Sequence, residues 1–381
     1  MTTTAATRAF QSTVSTPVLH LAFELGQARW KLGFTTGLGQ RPRERTIAAR
    51  DLPVLAQEIE RAKERFGLAA DARVVSCYEA GREGFWLHRW LVAHGVVSHV
   101  VDSASIEVNR RRRRAKSDRL DVGKLLYQLV RYLAGERKVW SVVRVPTVVE
   151  EDQRQLHREL LTAKRDRARV TNRMKGLLAN QGVVVEVGRG FLAELAVLQL
   201  WDGTVLRPGL RARLEREWAK VELFTGQIGQ LEGEREETLR SGTAPAVELV
   251  RRLLRVRGIG VNSAWLYVME FFGWRQFRNR REVGGLAGLT PTPYQSGEVS
   301  REQGIGKAGN RYIRAMAIEI AWGWLRFQPE SALSRWYQER FGQGSSRIRR
   351  IGIVALARRL LVELWRYLET GVVQEGAVLK A

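Results

Sequence analysis

The stretch "VLHLAFELGQARWKLGFTTG", residues 18–37, decides the fold of the first part of the chain. Apolar side chains alternate with others on either side of the Gly26 break, so it reads as two strands joined by a short turn. A third strand follows in "RERTIAAR", residues 43–50. Beyond it, "DLPVLAQEIERAKERFG" is a helix with Asp51 as N-cap, Pro53 in the first turn and Gly67 just past the end. "RVVSCYEAG" is a buried strand ending near Glu79, "FWLHRWLVAHG" an amphipathic helix closed by Gly95, and "VSHVVD" another strand. Last comes "SDRLDVGKLLYQLVRYLAG", a helix capped by Ser117. Three hairpin-like strands followed by helix, strand, helix, strand and helix predict an α/β domain with a mixed sheet.

Past "VVRVPTVVEED" the character becomes all-helical. From Leu156, small or apolar residues recur at Leu160, Ala163, Val170, Met174 and Leu177, with polar Arg167 at one seam position; a second seam runs through Val221, Phe224, Ile228 and Leu231. A Gly-bearing segment near 182–210 separates them. The pattern fits an antiparallel helical hairpin, a dimer-forming coiled coil, or plain packing within a bundle. From about 247 a third region is helical and broken by the turn Gly258-Ile259-Gly260. It passes through the Gly/Pro-rich "VGGLAGLTPTPYQSGEVSREQGIGKAGN" and ends in helices at 311–327, 330–341 and 347–369. The predicted boundaries are a loose tail at 1–17, the α/β domain at 18–146, a helical coiled-coil linker at 147–246, a helical C-terminal domain at 247–372 and a short tail at 373–381.

Charge narrows the function. The 381 residues hold 63 Lys+Arg against 40 Asp+Glu, a net charge of +23 spread over most of the chain. A polyanionic partner follows, with nucleic acid ahead of an anionic membrane, because no lipidation signal or basic amphipathic terminal helix is present. The first residues lack the apolar core of a signal peptide, and no apolar run is long enough to span a bilayer. A single cysteine, Cys77, excludes an internal disulfide and a multi-cysteine zinc site. These features predict a cytoplasmic protein.

The densest charge lies in "NRRRRRAKSDRLDVG", residues 109–123, where Arg110, Arg111, Arg112, Arg113, Arg114 and Lys116 precede Asp118 and Asp121. The two aspartates share one face of a first helical turn. Taken alone, Asp118 could be a dipole partner of the helix and Asp121 a salt-bridge partner of Lys124 or Arg119. Joined by Glu24 and Glu79 near the ends of two strands, they form a set of hard oxygen donors suited to magnesium beside a phosphodiester. The Gly258–Gly260 turn could offer backbone N–H groups to a phosphate, or be an ordinary tight turn. Ser296 sits in a loop bounded by prolines and Gly297, followed by Lys307, Arg311 and Arg314. A serine is a weak nucleophile without an activating base, metal or positive field, and all five histidines lie before residue 158.

Taken together, "YEAGREGFWLHRWLVAHG", "RRAKSDRLDVGKLL", "LLRVRGIGVNSAWLYVMEFFGWRQFRN" and "GLAGLTPTPYQSGEVSREQGIGKAGNRYIR" resemble the DEDD-type insertion-sequence transposases, relatives of the Piv-type DNA invertases. The resemblance runs from about residue 18 to 370. It implies an N-terminal RuvC-like domain of ribonuclease-H fold and a C-terminal serine-bearing transposase domain with a helix-hairpin-helix-like turn. Glu24, Glu79, Asp118 and Asp121 would be the magnesium-binding acids, and Ser296 the serine that becomes transiently joined to DNA. The family pattern has aspartate where this chain has Glu24, whose extra methylene carries the carboxylate outward. Donor and target DNA would be chosen by a bridge RNA, with composite sites formed in a homodimer that assembles into a tetramer, associated with the bacterial nucleoid. A metal-dependent nuclease of the Holliday-junction kind, acting by hydrolysis, is the alternative enzyme. A non-catalytic nucleic-acid scaffold is the third reading.

Overall fold

The computed structural model describes residues 17–106, 118–296, 299–306 and 309–380, with backbone alone at 104, 118–121, 293–296 and 299–303. The chain forms two compact units, residues 1–145 and 146–381. In the first, β1 (Leu19–Leu25), β2 (Arg29–Thr35) and β3 (Arg43–Ala48) precede α1 (Leu52–Arg65), β4 (Val74–Glu79), α2 (Trp86–Ala93), β5 (Val97–Val101) and α3 (Asp118–Leu133). The sheet order is β3-β2-β1-β4-β5. The hairpin partners pair antiparallel, whereas β1–β4 and β4–β5 are parallel. This is the expected mixed sheet.

Period-two alternation sorts the side chains of β1 to opposite faces. Leu19, Leu21 and Phe23 join Trp30, Leu32, Phe34 and Tyr78 under α1 and α2, which contribute Leu55, Ile59, Leu87 and Leu91. Ala22, Val75, Cys77 and Val101 turn the other way, onto Leu125, Leu126 and Leu129 of α3. Helix α1 begins where its signals place it: the Asp51 carboxylate accepts from the Val54 N–H at 3.1 Å, and Gly67 takes the left-handed φ of +63° past the end. The Ser117 cap expected for α3 lies outside the described residues.

The second unit opens with α4 (Val148–Asp152), α5 (Gln155–Ala179), α6 (Phe191–Val197) and α7 (Pro208–Ser241). Helices α5 and α7 run antiparallel, since Lys164 pairs with Glu232 while Arg173, further along α5, pairs with Glu217, further back on α7. Their seams close on each other: Leu160 and Ala163 meet Ile228 and Leu231, and Val170 and Met174 meet Trp218 and Val221. The three packing alternatives left by the periodicity therefore resolve into a hairpin within one chain. At its end the buried residue is Leu178, not Leu177, because the seam drifts as 3.6 residues per turn outruns the heptad. The connecting segment is itself structured, with the Phe191 ring of α6 tilted against that of Trp218, their centroids 5.3 Å apart.

Helices α8 (Pro245–Arg255), α9 (Val261–Tyr267, continued by a π turn at Val268–Phe272) and α10 (Arg280–Leu286) follow. Then come the strands β6 (Pro291–Ser296) and β7 (Val299–Ile305), and helices α11 (Arg311–Phe327), α12 (Ala332–Tyr337) and α13 (Ser346–Thr370). Trp265, Tyr267 and Phe271 fill a core with Ile313, Ala317 and Trp324 of α11 and Ile353, Leu356 and Leu360 of α13. Residues 378–380 close this unit: Gln328 holds both backbone groups of Val378, and the Lys380 ammonium donates to the Ile259 carbonyl. Among the described residues no helix is long and apolar enough to cross a membrane.

Candidate active site

Small residues create the seat of the first site. Gly33, Ala22 and Cys77 are register partners across β2, β1 and β4. They form a low row into which α3 settles: a Cβ on Gly33 would come within 2.7 Å of Val122 Cγ1, and the Cys77 thiol donates to the Leu125 carbonyl at 3.8 Å. Two residues further along the same strands, on the same face, are Glu24 and Glu79. Phe23 and Tyr78 are partners in the parallel β1–β4 pair, so the glutamates that follow them end adjacent strands at the same level. Glu24 is half-buried and Glu79 exposed. Carboxyl ends of parallel strands are where open α/β sheets place their ligands.

Asp118 and Asp121 occupy the first turn of α3, immediately before Val122. Their backbone therefore belongs to the helix that lies on the glutamate-bearing face; their side chains are outside the described part of the molecule. Fully buried Cys77 cannot complete a soft donor set, because burial, then the negative charge of Glu79, push its thiol far above the ordinary range and keep it protonated. What this face offers is carboxylate oxygen, and hard-oxygen chemistry fits magnesium. Arg110 to Arg114 and Lys116 lie outside the described residues.

The second candidate lies in the other unit. Ser296 is not in a loop but is the last residue of β6, with Val299 as its register partner. The ribbon forms in spite of Pro291 and Pro293 because it has two strands, so each strand keeps an edge where a missing N–H is harmless. A register irregularity between the prolines absorbs the mismatch. At its base the Thr292 hydroxyl donates to the Gly304 carbonyl at 3.0 Å, and the Gly306 N–H to the Thr290 carbonyl at 2.8 Å. Gly297, Glu298 and Lys307 lie outside the described residues.

Beyond the ribbon, the Asn310 side chain caps α11 by accepting from the Tyr312 and Ile313 N–H groups. Arg311 donates to the Tyr312 hydroxyl at 2.8 Å and stacks on its ring, with Arg165 of α5 over the same ring. Hydrogen bonds from Arg311 and Arg165 hold the phenol below its usual range. Arg314 follows on the first turn of α11, half-buried. The Gly258–Gly260 turn is tied up internally. The N–H groups of Arg257, Ile259 and Gly260 donate to Val378 O, Val256 O and Ser263 Oγ, so a phosphate there would compete for occupied donors. Gly258 has φ +91° and lies close under Phe327.

Two features were not read from the sequence. Arg158 of α5 grips Glu270 of the π turn with two hydrogen bonds, at 2.6 and 2.9 Å, beside buried His157 and Arg154. A broad groove beside α13 gathers arginines from α10 and α13. The recurrence of arginine at 347, 350, 358 and 366 is the signal that could have revealed it.

A protein with acids at the carboxyl ends of a mixed sheet, a serine-bearing ribbon and a strong positive charge belongs with proteins that handle nucleic acid. Comparison with known proteins gives the family. The model described as "Transposase IS116/IS110/IS902 family" matches residues 250–337, from α8 into α12 and across the whole ribbon. The protein y4rJ of Sinorhizobium fredii strain NGR234, named as a transposase, is 40% identical over 377 residues, covering 95% of this chain and 94% of its own. A protein of Pseudomonas aeruginosa PAO1 named as a family 20 transposase is 30% identical over 241 residues, covering 62% and 68%. The transposase for insertion sequence element IS1328 of Yersinia enterocolitica is 27% identical over 212 residues, covering 55% and 60%. The chain belongs to the IS116/IS110/IS902 family of transposases. It is an insertion-sequence transposase, a DNA-processing enzyme.

Proposed function

We propose that this transposase cuts and rejoins DNA through a covalent serine–DNA intermediate. The Ser296 oxygen attacks a backbone phosphorus, and the phosphorus–oxygen bond to one sugar breaks. The departing sugar oxygen takes up a proton while the phosphodiester stays on the serine. Attack by the hydroxyl of a second strand reverses the step and releases Ser296. One phosphodiester is exchanged for another, so no nucleotide energy source is needed. The observation that carries this reading is the position of Ser296: inside the family-matched region 250–337, at the end of β6. Arg311 and Arg314, one short connection downstream, and Lys307 are the groups assigned to offset charge on the attacked phosphate.

Glu24, Glu79, Asp118 and Asp121 would hold magnesium. When bound there, the ion supplies Lewis-acid stabilisation of charge on phosphate oxygens. The succession of three hairpin strands and alternating helices supports a RuvC-like, ribonuclease-H-type assignment of the first unit. In the same reading Arg110 to Arg114 and Lys116 seat nucleic-acid phosphates, the +23 charge serves a bridge RNA as well as donor and target DNA, and the working form is a homodimer that assembles into a tetramer.

The test uses full-length protein, the transcript flanking the element and DNA carrying its ends, with magnesium. Parent protein is expected to give a protein–DNA adduct that survives denaturation. Ser296→Ala should abolish both adduct and strand exchange. Cleavage that proceeds normally in Ser296→Ala overturns the serine mechanism in favour of hydrolysis.

A further inference from the structure

The groove beside α13 encloses about 1300 Å³ and is walled by α10, α12, α13 and the base of the ribbon at Pro291, Gly304 and Ile305. Seven arginines line it, six of them being Arg280 and Arg281 from α10 and Arg347, Arg350, Arg358 and Arg359 from α13. Among the described residues none of the six forms an ion pair with a carboxylate. The one acid on the groove wall, Glu363, is bonded to the seventh arginine, Arg366, at 2.8 Å, and its charge also acts on Arg359. Elsewhere among the described residues several inward arginines meet acids, as Arg43 meets Glu58, Arg158 meets Glu270 and Arg173 meets Glu217, while buried Arg235 meets the Asn262 side-chain oxygen. Gathering like charges in a concave surface costs self-repulsion, and an anionic occupant removes it.

Part of the set is held in position by packing. Arg359 lies over the Trp336 ring at 3.9 Å. Arg358 passes so close to α10 that a Cβ on Gly284 would come within 2.9 Å of its Nε. Arg281, Arg347 and Arg350 are exposed. From Arg347 to Arg359 the helix rises about 18 Å, which matches roughly five steps along one DNA strand at 3.4 Å each. A small anion would engage only a fraction of that length. Guanidinium forks suit phosphate and carry no base preference by themselves.

We infer that this groove seats the sugar–phosphate backbone of the DNA on which the enzyme acts, independently of sequence, and leads it along the ribbon. DNA is favoured over RNA because Pro291, at the groove wall, begins the strand that ends at Ser296, about 17 Å further along. That choice rests on the serine reading proposed above.

The test compares parent, the exposed triple variant Arg281→Ala/Arg347→Ala/Arg350→Ala, and a control triple, Arg169→Ala/Arg211→Ala/Arg240→Ala, whose arginines each have an acidic neighbour on their own helix. Binding to duplex DNA of unrelated sequence and to duplex RNA of equal length is measured by anisotropy across a salt series, with thermal unfolding to verify folding. The groove triple should bind DNA about tenfold or more weakly and lose about 2 to 3 from the slope of log affinity against log salt; the control triple should lose under 1. An unchanged DNA slope, or a loss confined to RNA, overturns the inference. Ser296→Ala separates the two readings. Loss of adduct there with normal DNA binding by the groove triple removes the groove and leaves the serine. Weakened DNA binding by the groove triple with an intact adduct in Ser296→Ala removes the serine and leaves the groove as a DNA seat.

Discussion

Glu24 and Glu79, separated by more than fifty residues of chain, directly follow the register partners Phe23 and Tyr78 and so end neighbouring parallel strands at one level on one face. Two carboxylates so placed supply oxygen donors to one side of the sheet, where a hard cation is the ligand they suit. Glu79→Gln is expected to lower magnesium-dependent DNA cleavage about 10²-fold or more, while salt-dependent DNA binding stays near that of the parent. Glu24→Asp, which gives the side chain that the resemblance implies at this position, should retain cleavage, whereas Glu24→Ala should lose it to the same degree as Glu79→Gln. Cleavage rates across a magnesium titration check this. Full activity in Glu79→Gln would remove the acids from the chemistry.

Arg158 and Glu270 tie the helical hairpin to the C-terminal helices across 112 positions of sequence. The Glu270 side chain is largely buried while Arg158 is about half exposed, so water can recover the arginine if the acid is lost. Glu270→Ala should therefore destabilise the chain by about 1–3 kcal/mol, below the value for a wholly buried pair. Urea unfolding with an unchanged midpoint would show that the pair contributes nothing.

Much of the first unit could be read directly because its local signals agree with its tertiary surroundings. Asp51 and Gly67 bracket α1, and the alternation in 18–37 matches two buried faces. The ribbon was hidden because Pro291 and Pro293 are strand breakers in most sheets, and only a free edge on each strand makes them harmless. The seams of α5 and α7 carried no information on whether the partner helix belongs to the same chain. Of the candidate site, residue type was visible, and so was a strand for Glu79 adjacent to that of Glu24; the register was not, and only the parallel pairing of β1 and β4 sets the two at one level. The groove arginines lie far apart in the sequence on two helices, and the helical spacing on α13 was their one local trace.

Gly33 links packing to the acid site. Its missing side chain admits Val122, and the turn before Val122 carries Asp118 and Asp121. Gly33→Ala should push α3 away from the sheet, cost about 1–3 kcal/mol, and weaken magnesium-dependent cleavage. Val122→Ala removes the obstructing methyl groups, so the double variant should recover most of both losses, a coupling that a double-mutant cycle measures directly. Additive losses would mean that the close contact does not set the position of α3.

His157 makes stability depend on pH in a window of its own. It is 2% exposed, and neither ring nitrogen has a hydrogen-bond partner among the described residues. Burial, partly opposed by Glu270 and reinforced by Arg235, Arg158 and Lys164, brings its pKa down to about 4 from 6.5. Above pH 6.5 the imidazole is neutral in both folded and unfolded chain and contributes no pH dependence. As pH falls from 6.5 towards 4 the unfolded chain takes up a proton that the folded chain refuses, so stability is lost over that interval and levels off below it. Burial also opposes ionisation of Glu270, but Arg158, Arg154 and His157 outweigh it and hold the carboxyl below 4.5. Its contribution is therefore kept above 4.5 and disappears only at lower pH. Between pH 7.5 and 5 the histidine acts without interference from that acid. His157→Leu should leave stability near parent at pH 7.5, since both unpartnered nitrogens are removed. The parent should lose about 2 kcal/mol more than the variant on going to pH 5. Urea unfolding of both proteins at the two pH values measures the difference, and equal losses would show that His157 takes up its proton as readily in the folded chain as in the unfolded one.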